Sequence, residues 1–165
     1  MRLRSTFALL AVSAMFAGCA SYQPIPADYK GPTATVTDSG RLEDGTKAQM
    51  FVLAEIEGNR IDNAIGDSAR ASQGKGFALT TVFTSRALPA RPMKVKLVAS
   101  HATAAPIQAM ASQMAGTWYS TEGVVDFKPE PDGQYVVRGE LKKQGSTVWI
   151  EDAKTRQAVT AKVGS

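Results

Sequence analysis

The chain is 165 residues long with 44% hydrophobic and 21% charged residues, a length and balance that fit one ordinary globular domain and exclude wholesale disorder. No apolar run reaches the ~18 residues that read as a membrane-spanning helix. The formal charge is +4, and two of the basic residues, Arg2 and Arg4, fall at the extreme N-terminus.

Those two arginines precede an apolar stretch from Phe7 to Phe16, and the small residues Ala17 and Gly18 follow. A positive start, a ten-residue apolar centre and small residues at a cleavage point are the pattern of a secretory signal, expected over residues 1–18. Cys19, the single cysteine, comes next, so no intramolecular disulfide is available. The run Phe16-Ala17-Gly18-Cys19 resembles the lipobox of the bacterial lipoprotein family, with Phe16 where the family usually has Leu. The resemblance implies diacylglycerol on the Cys19 sulfur, cleavage before it and acylation of the new N-terminus. Several acyl chains at about 0.8 kcal/mol per buried CH₂ make a stable membrane-lipid anchor. Ala20 follows the cysteine, and the resemblance then implies attachment to the outer membrane on its periplasmic face. Cleavage would remove 18 residues, leaving 147 with 17 basic against 15 acidic side chains. That near balance argues against a nucleic-acid partner, which calls for a concentrated basic face.

Residues 19–32 carry Pro24, Pro26 and Pro32 and read as a semi-extended tether. The domain is expected over 33–165, with strands at 33–37, 50–57, 78–85, 93–101, 117–128, 134–141, 147–152 and, more weakly, 158–163. The clearest alternation sets Met93, Val95, Leu97 and Ala99 against Lys94, Lys96 and Ser100, the period-two pattern of a sheet wet on one side. Residues 59–76, rich in Asp, Asn, Ser and Gly, read as a long polar loop with at most a helical turn. Residues 103–116 carry Ile107, Met110, Ala111 and Met114 at helical spacing, with Pro106 suited to a first turn. About seven strands and one short helical insertion predict an all-β antiparallel sandwich. The turn Leu88-Pro89-Ala90-Arg91-Pro92 and the strand Val148-Trp149-Ile150-Glu151-Asp152 are similar to those of small β-sandwich lipoprotein modules, which implies the same fold.

No catalytic set, cofactor or metal site emerges. His101, the only histidine, shares strand parity with Val95, Leu97 and Ala99, so neighbouring Ser100 points to the opposite face and cannot pair with it. Glu57, Asp62, Asn63 and Asp67 miss the spacing of a calcium loop. Met93, Met110 and Met114 with His101 form a soft-ligand set better read as core. Glu55 and Glu57 share a predicted strand face and read as an exposed carboxylate pair. Thr37-Asp38-Ser39-Gly40 superficially resembles a peptidoglycan-binding motif, without its continuation.

The surface candidates are Thr147, Trp149 and Glu151, which alternation points away from the apolar layer, where a tryptophan can anchor a partner or stack on a sugar. Arg91, Lys94 and Lys96 form a candidate basic strip. Together these predict a non-catalytic, outer-membrane-anchored periplasmic module that binds another envelope component. A peptidoglycan or glycan reader, and a hydrolase using His101 with a distant serine, are the alternatives.

Overall fold

The computed structural model describes residues 22–164, so the predicted signal segment and Cys19 lie outside the described residues. The elements follow as β1 (Thr33–Thr37), β2 (Ser39–Leu42), β3 (Lys47–Ile56), β4 (Asn59–Arg60), α1 (Ala64–Ser72), β5 (Ser85–Pro89), β6 (Met93–Thr103), α2 (Pro106–Met114), β7 (Ser120–Phe127), β8 (Gln134–Glu140), β9 (Thr147–Asp152) and β10 (Val163–Gly164). They build an all-β sandwich. One sheet has the order β10-β9-β8-β1-β5, and the other the order β2-β3-β6-β7 with β4 added to β3. Pairing among the described strands is antiparallel except between β1 and β8.

Alternation decides what lies between the sheets. Val95, Leu97 and Ala99 of β6 and Phe51 and Leu53 of β3 face Val36, Leu88, Val137, Val148 and Ile150 of the other sheet, all buried in one apolar cluster. Phe127 and Tyr135 meet edge-to-face at 5.1 Å across it, a geometry that adds about 0.5–1.5 kcal/mol to the burial. The opposite face of β3 is apolar as well. Ala48, Met50 and Val52 are buried there with Ala64, Ile65 and Leu79 packed over them, so α1 forms a partial third layer.

Two expectations fail here, for one shared reason. Residues 59–76 are not a polar loop but hold β4 and the nine-residue α1, and residues 78–84 are not a strand, with β5 starting only at Ser85. The serines of α1 replace a strand partner. Ser68 and Ser72 are buried, and their hydroxyls accept from the backbone N–H of Val82 (2.9 Å) and Thr80 (2.9 Å). A segment with strand composition therefore docks on helix side chains instead of a ladder. Asn63 caps α1, its side chain accepting from Ile65 and Gly66 N–H.

Asp38 sits where the chain leaves one sheet for the other and is fully buried. Its Oδ1 accepts from Leu53 N (3.0 Å) and Arg86 Nη1 (2.9 Å), and its Oδ2 from Ala64 N (2.8 Å) and Arg86 Nη2 (2.7 Å). One carboxylate thus ties β3, the start of α1 and β5 together through a forked ion pair.

The sandwich has two dissimilar ends. Thr33 pairs with Pro89, and Ala90 N donates to Pro32 O (2.8 Å), so residues 22–32 join the domain at the end where β6 begins. At the other end β6 runs into α2, β2 turns into β3, and β8 turns into β9.

Candidate functional site

The sequence-predicted residues are scattered over several surfaces. Thr147, Trp149 and Glu151 share the outer face of β9, but Glu151 is buried and accepts from Arg138 Nε (2.9 Å) on β8. Trp149 is half-buried, lies opposite Arg138, and has Lys162 Nζ 4.1 Å from its ring centroid, a cation–π contact. Lys94 and Lys96 share the outer face of β6, and each meets an acid of β7: Lys94 with Asp126 (2.9 Å) and Lys96 with Glu122 (2.8 Å). Those hydrogen bonds push both ammonium groups above the ordinary lysine value. Arg91 is exposed in the turn before β6. The face is a ladder of alternating charge.

Glu55 and Glu57 are not a carboxylate pair on one strand. A register shift falls between Leu53 and Glu55, and Glu57 lies beyond β3 in a turn, with its Oε1 accepting from Lys94 N (2.9 Å). Of the soft-ligand set, Met93 is core, whereas Met110 and Met114 are exposed on α2, far from it along β6. Asp62 and Asp67 pair with Arg70. Among the described residues no cluster of three or more His, Cys, Asp or Glu side chains is placed to hold a metal ion.

Features that the sequence did not bring together meet at the end opposite residues 22–32. Arg41, Gln49 and His101 lie side by side across β2, β3 and β6, one row beyond the apolar core. His101 is 3% exposed. The Glu43 carboxylate can only accept, so the proton of the neutral ring sits on Nε2, donating to Glu43 Oε1 (3.1 Å), and Nδ1 accepts from Tyr119 N (3.1 Å) with Tyr119 O also 3.2 Å away. Glu43 also accepts from Gln49 Nε2 (2.7 Å) and lies 3.5 Å from Lys47 Nζ, which donates to Thr117 O (2.7 Å). Burial pushes the Glu43 carboxyl up, but these hydrogen bonds and charges outweigh it and hold it below the ordinary value. Burial and the Lys47 charge hold His101 below its ordinary value, against the pull of Glu43. Both ring nitrogens are engaged in holding Glu43 and Tyr119, as a positioning histidine would be.

Beside this row opens a cleft of about 260 Å³ between the two sheets. Phe51 and Leu141 give its lining an apolar part, and Arg41, Gln49 and the ion pair of Glu140 with Lys142 give it a polar part. Gly139 makes room for Phe51: a Cβ there would meet the Phe51 ring at 2.5 Å and Thr147 O at 2.7 Å.

The same end carries α2, none of whose residues is buried. Gln108 shapes its first turn by accepting from Ala105 N (3.0 Å) and donating to Phe77 O (3.3 Å). Ile107 is 65% exposed, Met110 61%, Met114 89% and neighbouring Phe77 62%. From 102 to 121 the chain has no charged residue. The helical spacing was legible, but the stripe faces outward, because β3, β6 and β7 already fill the core beneath it. Compared with protein-family models, curated proteins and solved structures, the chain finds no match.

Proposed function

We propose that the chain is an outer-membrane-anchored periplasmic lipoprotein whose sandwich is a non-catalytic module that holds another envelope protein. The observation that carries the binding role is α2: an uncharged helix offering Ile107, Met110 and Met114 to its surroundings, where an exposed apolar patch marks an interaction surface. The anchor rests on the lipobox Phe16-Ala17-Gly18-Cys19. Residues 19–32 join the domain at Thr33, and α2 lies at the far end of the eleven-residue β6, about 34 Å away at strand rise. With the lipid attached through that segment, the apolar helix lies at the end of the domain remote from the attachment, which favours a protein partner over the membrane. A glycan reading rests on Trp149, but Lys162 already occupies a face of that ring.

The test is a photoreactive side chain placed at Met110, at Met114 and, as control, at Lys94, irradiated in intact cells. A single protein adduct of fixed mass from both α2 positions and none from Lys94 supports the reading. Lipid adducts alone, or equal yields at all three sites, refute it. Cys19→Ser tests the anchor independently: the chain should leave the membrane fraction, and unchanged fractionation would show that no lipid holds it.

A further inference from the structure

We propose that the inter-sheet cleft at the α2 end is a binding site for a small carboxylate that has an apolar side chain and an N–H or O–H donor beside the acid group. The inference does not depend on the lipid anchor or on the partner of α2. It starts from Gln49. An ionised Glu43 can only accept hydrogen bonds, so the group that Gln49 turns toward it at 2.7 Å must be its NH₂. The side-chain oxygen of Gln49 is left over: it accepts no hydrogen bond among the described residues, and since no buried side-chain oxygen or nitrogen there lacks a partner, it reaches the open cleft that Gln49 lines. His101 and Lys47 fix Glu43 from the other side. The acceptor is therefore held in place before any ligand arrives, which lowers the ordering cost of binding.

A cation completes the pattern. Arg41, directly opposite Gln49 on β2, makes no ion pair among the described residues. Its guanidinium fork matches a carboxylate. Lys142 also lines the cleft, but its charge is balanced by Glu140, another lining residue, so Arg41 is the cation left to meet a carboxylate. Phe51 and Leu141 supply the apolar part of the lining. Arg41 and Gln49 neighbour each other in the ladder, so one ligand can give its carboxylate to the first and a donor one or two bonds away to the second. At about 260 Å³ the cleft is just below the usual 300–1,000 Å³ of small-molecule pockets. It suits one amino-acid-sized unit, either a free acid or the C-terminal residue of a peptide.

The experiment is an NMR titration of the ¹⁵N-labelled full chain in lipid nanodiscs with N-acetyl-leucine, N-acetyl-leucinamide and an N-acetylated tripeptide ending in leucine. Saturable shifts of the Gln49 side-chain amide and the Gly139 backbone amide with the acid are expected, with at least tenfold weaker binding of the leucinamide. Arg41→Gln should weaken the acid at least tenfold while leaving the urea midpoint unchanged, since Arg41 is exposed. Tighter binding of the tripeptide would identify a polypeptide C-terminus as the source, and equal binding a free acid. Shifts that do not saturate, that are the same for the leucinamide, or that survive Arg41→Gln overturn the proposal.

Discussion

Replacing Asp38 with Ala removes the group on which the corner between the sheets depends. Three elements lose a partner at once: Arg86, whose side chain is 10% exposed, and the N–H groups of Leu53 and Ala64. Removing one member of a buried ion pair costs about 3–5 kcal/mol because the other charge stays behind. Each stranded N–H adds about 1–3 kcal/mol. Arg86 can swing toward water, which returns part of the first sum, so with both costs at the low ends of their ranges the net loss should be about 4 kcal/mol. That is a large share of the ~5–15 kcal/mol that holds a domain of this size, and at about 3–4 °C per kcal/mol it lowers Tm by about 12–16 °C. Urea unfolding followed by fluorescence of Trp118 and Trp149 measures it. The reasoning also predicts non-additivity. Asp38→Ala with Arg86→Met should cost less than the sum of the two single changes by about 2 kcal/mol, because no uncompensated charge remains buried. A loss under 1 kcal/mol for Asp38→Ala, or strict additivity in the cycle, would refute the reading of this corner.

Gly139→Ala should destabilise the fold by about 1–3 kcal/mol, since the new methyl meets the Phe51 ring and Thr147 O; a urea midpoint equal to the parent's would contradict the contact. The folded protein holds His101 below its ordinary value of 6.5, so the unfolded chain binds the proton more readily and stability should fall as the pH drops below about 6.5. Glu43, also lowered from 4.5, adds a second loss below that value. Thermal melts at pH 7.5 and 5.5 read the first step, which His101→Gln should flatten; an equal slope in both proteins would show that another group carries it. Met114→Glu, at a position 89% exposed, should change stability by less than about 0.5 kcal/mol while abolishing photocrosslinking from Met110. Retained adducts would mean that α2 is not the docking surface.

What the sequence revealed of the fold was what alternation writes down. β6 is legible because Met93, Val95, Leu97 and Ala99 alternate with Lys94, Lys96 and Ser100, with only Val98 breaking the polar row, and β9 because Val148 and Ile150 bracket Trp149. β2 was not legible: Ser39, Gly40, Arg41 and Leu42 show no apolar period, and their inward face is a hydroxyl donating to Val137 O and an arginine. Missing β2 hid the row of Arg41, Gln49 and His101, which exists only through cross-strand register. α1 was hidden by its buried face, which holds Ala64, Ser68 and Ser72 where a periodicity search looks for large apolar residues. The residues of α2 were found by their spacing, but spacing does not say which way a stripe faces. The signal that could have told is the absence of charge from 102 to 121, which leaves this helix without the solvated polar face of an ordinary surface helix.

The placement of β1 has a mechanical side. The segment that precedes Thr33 leads directly into a strand flanked by β8 on one side and β5 on the other. Backbone hydrogen bonds run across strands rather than along them. A pull delivered through that segment along the β1 axis therefore loads both ladders together, in shear, instead of opening them one bond at a time like a zip. Force between the N-terminal segment and a partner at the far end would enter through an interior strand rather than an edge one, where two ladders share the load.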